Sequence, residues 1–163
     1  MLFPVILVVA ALLCSLIAGI LFAFAVVTMP GIKQLKDGEF LRVFQVIDGV
    51  IQNNQFIFML VWIGSIFMLV IATALGSNSL DGFGKILIYT ALIFFIMGVQ
   101  LPTIFINVPL NNHIQTLDVE ALTDSAKKVA RRNFEPRWVM WNRIRTVFAV
   151  KVTVILLILL VLF

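Results

Sequence analysis

Gln100 to His113 reads QLPTIFINVPLNNH, where a long apolar run turns abruptly into carboxamides, two prolines and the only histidine of the chain. Hydrocarbon offers a side-chain amide no partner. Amides at the mouth of an apolar span must therefore face a protein interior, a wet cavity or the headgroup boundary. The block leading into this stretch, residues 85–108, is long enough to cross a bilayer, and so are three others, at residues 3–28, 56–75 and 138–163. A hydrocarbon core of about 30 Å needs roughly 20 helical residues per crossing. The reading is an all-α, four-helix transmembrane bundle that forms a single integral membrane domain over residues 1–163.

Composition agrees: 62% of residues are hydrophobic, 12% are charged and the mean hydropathy is +1.12, far too apolar for a water-soluble domain. The first block exceeds a secretory signal core of about 7 to 15 residues and has no basic residue ahead of it, so it is expected to remain as a span. Cys14, the single cysteine, lies inside it and reads as a small core residue. The net charge of +4 comes from loops. Lys33, Lys36 and Arg42 follow the first span, and Lys127, Lys128, Arg131, Arg132, Arg137, Arg143 and Arg145 lie around the start of the fourth. This pattern predicts a multi-pass cell (inner) membrane protein with the basic loops cytoplasmic and both termini outside. The lipid bilayer is the expected partner and nucleic acid is not.

Within the first span, Ser15, Ala18, Gly19 and Ala23 are the small residues expected to face neighbouring helices. Met29-Pro30-Gly31 is expected to end that helix. Residues 38–51 are too charged to cross, yet Phe40, Val43, Phe44, Ile47 and Ile51 recur at helical spacing. They predict an interfacial amphipathic helix after the first span, either a lid over the bundle end or a helix lying among headgroups. Gln52-Asn53-Asn54-Gln55 breaks the apolar run, and residues 76–84 form a turn-rich connector between antiparallel neighbours. A short helix is expected after Leu117-Asp118, and the fourth span is expected to begin between Pro136 and Trp141. Lys151 falls within that span, where snorkelling is the mild explanation.

On a helical wheel of about 100° per residue, Gln100, Thr103, Asn107 and Asn111 share one stripe of the third span. Trp138, Asn142 and Arg145 share one on the fourth, with Trp141 one position aside. Both stripes lie at the same membrane end. Packed together they would make a pocket in which Arg145 is the fixed charge, Gln100, Asn107, Asn111 and Asn142 are neutral donors and acceptors, and Trp138 and Trp141 are flat walls. Polar glue between helices and interfacial anchoring are the competing explanations for the same residues. His113, the one histidine, is the candidate base, histidine being the side chain that most often takes that role. One histidine and one distant cysteine offer no metal-ligand spacing.

Ala18-Gly19-Ile20-Leu21-Phe22-Ala23-Phe24, Met29-Pro30-Gly31, Asn107-Val108-Pro109-Leu110-Asn111 and the segment WVMWNRIR over 138–145 together resemble the anthrone oxygenase-like family of small four-span membrane proteins. Asp48 departs from that pattern, standing where the family's first loop would carry asparagine. The resemblance implies a pocket for a flat polycyclic phenol and oxidation by molecular oxygen without metal or flavin cofactor. It also implies that Asn107, Asn111, Asn142 and Arg145 hold an anionic oxygen, with the tryptophans packing the rings. The function expected is binding, and oxidation with oxygen, of a hydrophobic aromatic small molecule of the polyketide type. A non-enzymatic membrane protein, an accessory subunit of a larger complex or a small-molecule carrier, is the alternative. Assembly as a homo-oligomer or within a larger membrane complex is left open.

Overall fold

Proline removes a backbone donor, and its ring collides with the carbonyl one turn back. A helix that carries one must widen or break. The computed structural model, which describes residues 2–53 and 55–162, shows widening. Met29, Leu101 and Val108, the residues just before Pro30, Pro102 and Pro109, donate their N–H groups five residues back, to the carbonyls of Phe24, Ile96 and Thr103. Each proline is thus preceded by a single π-helical turn, at Phe24–Thr28, Ile96–Gln100 and Thr103–Asn107. The extra residue in each turn makes room for the ring. The first helix, α1, therefore runs through Met29-Pro30-Gly31 as Leu2–Ile32 instead of ending there.

The other elements are α2 (Asp37–Gln52), α3 (Phe56–Ser79), α4 (Gly82–Gln115) and α5 (Asp124–Leu162). All but α2 are long and apolar enough to cross a membrane, so the protein is an all-α, multi-pass membrane protein. The connector expected over residues 76–84 shrinks to Leu80 and Asp81, with the Asp81 carboxylate accepting the Gly84 N–H at 2.7 Å. The separate short helix and later span expected after residue 117 are one 39-residue helix, α5. Pro136 is tolerated there because it and Arg132, whose carbonyl loses its donor, are exposed. Asn54, and Phe163 at the end of the expected fourth span, lie outside the described residues.

Side-chain size fixes the packing. Ala10, Ala11, Cys14 and Ala18 are buried on α1, at the spacing that lets helices approach closely. Of the four small residues expected on that face only Ala18 is fully buried; Ser15 is half-buried, and Gly19 and Ala23 are exposed. Gly98 serves the same purpose on α4, where a Cβ would collide with the ring and Cβ of Phe148 on α5. Gly98→Ala should separate α4 from α5 and lower stability by about 1–3 kcal/mol, the usual range for overpacking, as read by thermal unfolding in detergent.

The helix α2 turns its apolar face inward. Phe40, Leu41 and Phe44 are buried against Ile114, Phe134 and Trp138, so α2 is a cap over one end of the bundle. Its start is fixed by Arg131 of α5, which donates to the carbonyls of Lys33 and Leu35 and to Asp37 and Glu135 at 2.7–3.1 Å, and lies 4.3 Å over the Phe40 ring. Gln45 pins the other side through bonds to the Ile114 and Leu117 carbonyls, at 2.8 and 2.9 Å. Arg131→Ala should release the cap, at a cost of about 2–4 kcal/mol. Faster proteolysis around Lys33–Leu35 together with a lower melting temperature would show it.

Candidate functional site

The two wheel stripes meet. The π-helical turn Thr103–Asn107 of α4 faces Trp138, Asn142 and Arg145 of α5 beneath the cap. Arg145 is 5% exposed and donates to Thr103 Oγ1 and Asn142 Oδ1, both at 2.9 Å. Asn142 in turn donates to the Leu21 carbonyl of α1 at 3.1 Å. Arg145 has no carboxylate partner, for the ion pairs among the described residues involve other cations. Its Nε, the Asn107 Oδ1 and the Gln100 Nε2 are buried without any hydrogen-bond partner. Buried polar groups are nearly always satisfied, and a buried positive charge held only by neutral oxygens has unspent capacity for an anion.

A second polar cluster lines the same cavity as the guanidinium. Asp48 of α2 accepts Asn111 Nδ2 on one oxygen at 2.7 Å, and Gln52 and Gln115 amides on the other at 2.7 and 2.9 Å. Asn111 itself accepts the Trp138 indole N–H at 2.7 Å. Burial pushes the Asp48 carboxyl above the ordinary carboxylate range, and the amides of Gln115, Gln52 and Asn111 pull it partly back. The signal for Asp48 was present in the sequence: at about 80° from Phe40 on a helical wheel it falls between Phe44 and Leu41, inside the apolar face.

The cavity that both clusters line has a volume of about 270 Å³. Phe24, Phe44, Phe58, Trp62 and Trp138 supply aromatic walls, and Asp48, Asn107, Asn111, Asn142 and Arg145 the polar lining. Three expected residues stand elsewhere. His113 is exposed and does not line the cavity, because two residues beyond Asn111 is about 200° around the helix. Trp141 is half-buried off the lining, about 100° from Asn142. Gln100 is buried behind the wall, where its Oε1 accepts the Trp62 indole N–H at 3.1 Å. Thr103 lines the cavity from the stripe on which its spacing placed it, whereas Trp62 completes the site from a helix that neither stripe indicated. No group of His, Cys, Asp or Glu among the described residues is placed to hold a metal ion.

Fold and site define a class: a four-span helical membrane protein with an aromatic-walled pocket lined by a buried guanidinium and a buried carboxylate. A family model described as Anthrone oxygenase matches residues 50–155, most of the chain and both site helices. The chain belongs to the anthrone oxygenase family. No curated protein and no solved structure matches it.

Proposed function

We propose that the pocket binds a flat hydroxylated aromatic molecule and oxidises it with molecular oxygen, as the family name suggests. The observation that carries this reading is Arg145, a buried cation without a counter-anion, on the wall of an aromatic cavity that also holds a carboxylate. Such a site favours the anion of a weak acid over the acid itself. Asp48, not His113, is the proton acceptor: its buried carboxylate lines the cavity, and burial makes it a stronger base than an ordinary aspartate. Asn142 and Thr103 orient the guanidinium, and Asn107 adds a free carbonyl oxygen to the same wall.

With an anthrone, Asp48 takes a proton from the ring methylene and leaves a delocalised anion whose oxygen lies against Arg145. That electron-rich anion gives an electron to dioxygen, and the two radicals join to form a hydroperoxide at the former methylene carbon. Return of the proton and loss of water give the quinone. Overall, one anthrone and one dioxygen become one anthraquinone and one water. With the basic loops in the cytoplasm, as the distribution of Lys and Arg suggests, the pocket lies at the cytoplasmic end of the cell membrane.

The test is oxygen uptake by the purified, metal-stripped protein with anthrone, against spontaneous oxidation and against Arg145→Ala. Stoichiometric uptake and quinone formation above background, lost in the variant, is the expected result. Uptake equal to background would remove the oxygenase reading.

A further inference from the structure

The cavity is roofed on the cap side. Phe44 and Asp48 of α2 are buried over it, and Ile51 closes the same edge. Its flank is built differently. The first two turns of α3 contribute Phe58, Met59 and Trp62, and α4 contributes Ile104 and Val108. Packing between α3 and α4 runs chiefly along Gly82–Phe95, so beside residues 103–115 the two helices part. Both lips of this gap are hydrocarbon and open to the outside: on α3 Phe58 and Met59 are only half-buried, and on α4 Ile104 is 55% exposed and Val108 41%. On a multi-pass membrane protein such a band faces lipid tails. From Phe56, where the apolar helix begins, to Trp62 is about 9 Å along the axis, which places the gap within the hydrocarbon just below the interface.

Ionisation state follows from that route. An unpaired anion is strongly disfavoured in hydrocarbon, whereas a neutral hydroxyl or ketone on an apolar ring system dissolves there readily. The groups that favour the anion, Arg145 with Asn142 and Thr103, lie inside the cavity. We infer that the pocket opens sideways into the bilayer through the gap between α3 and α4, and takes up the neutral, protonated form of a hydroxylated aromatic from the lipid phase. The nature of the ring system rests on the function proposed above; the route rests on the geometry.

Thiol labelling in sealed proteoliposomes tests the route without any turnover. Cys14→Ala removes the native thiol, and Leu21→Cys places one on the cavity wall. Two reagents are compared: N-phenylmaleimide, neutral and lipid-soluble, and a quaternary-ammonium methanethiosulfonate confined to water. Each rate is normalised to that of a cysteine at exposed Ser125. The maleimide should modify Leu21→Cys while the charged reagent does not. Adding Ile104→Trp at the gap should slow the maleimide about tenfold, as gated access does, and adding Ile51→Trp at the roof should leave it unchanged. Modification by the charged reagent, modification by neither, or slowing by the roof substitution in place of the gap substitution would each overturn the inference. If Leu21→Cys does not fold, Ile20→Cys on the same wall takes the same measurements. Because labelling requires no oxygen consumption, a wrong route and a wrong reaction give separate results.

Discussion

Arg145→Met should lower the rate of anthrone oxidation by about 10² to 10³, the range seen when one preorganised donor to a developing oxyanion is removed. It should also leave the melting temperature equal to or above that of the parent. The two expectations come from one fact: the guanidinium is buried with only Thr103 Oγ1 and Asn142 Oδ1 as partners. A side chain of similar length without charge loses two hydrogen bonds but escapes the desolvation of an unpaired cation. A structural arginine would behave in the opposite way, with stability falling and no selective effect on the chemical step. Arg145→Lys should recover only part of the activity, since an ammonium cannot keep the two-pronged geometry that holds Thr103 and Asn142 together. Steady-state oxygen uptake and thermal unfolding on the same preparations distinguish these outcomes.

Asp48→Asn should reduce the rate by about 10² to 10⁴, the usual contribution of a positioned general base, and should abolish the rising limb of the pH profile. In the parent that limb should have its midpoint above the ordinary aspartate value of about 3.9, because burial disfavours the ionised carboxylate. The sign for stability runs the other way. A carboxyl whose folded pKa is raised binds its proton more tightly folded than unfolded. Its contribution is therefore greatest below the unfolded value and is lost as pH rises through the folded value. The parent should gain stability on mild acidification through this window, and Asp48→Asn should flatten the trend. If the pH profile of turnover is unchanged in the variant, Asp48 is a cap-anchoring residue and not the base.

Much of this molecule is written in its hydropathy. Four apolar blocks and a 3.6-residue periodicity dictate four crossing helices, because no other backbone arrangement of such a chain satisfies its N–H and C=O groups in hydrocarbon. The same periodicity placed Asn107, Asn111, Trp138, Asn142 and Arg145 on facing stripes, and the folded chain brings all of them to one cavity. Helix ends were less legible. Pro30 and Pro136 read as boundaries, yet a π-helical turn absorbs the first and an exposed helix face the second. Those responses depend on the ladder and its surroundings, not on the proline.

A lid over the bundle end was one of the two expectations for residues 38–51, but what it covers was not legible. Phe40, Phe44 and Ile51 mark an apolar face without saying what it covers, so Asp48 read as one more polar residue of a surface helix. Only the packing of α2 onto α4 and α5, clamped by Arg131 and Gln45, turns that carboxylate toward Asn111 and the cavity. Sequence alone determined that this is a four-span membrane protein of the anthrone oxygenase family, carrying a polar stripe on each of two helices, because hydrophobic length and helical phase are local properties. Tertiary structure decided that Arg145 is left without an anion, that Asp48 and not His113 shares its cavity, and where α3 and α4 part. Those are long-range facts, set by which side chains are small enough to let helices close and which are too large.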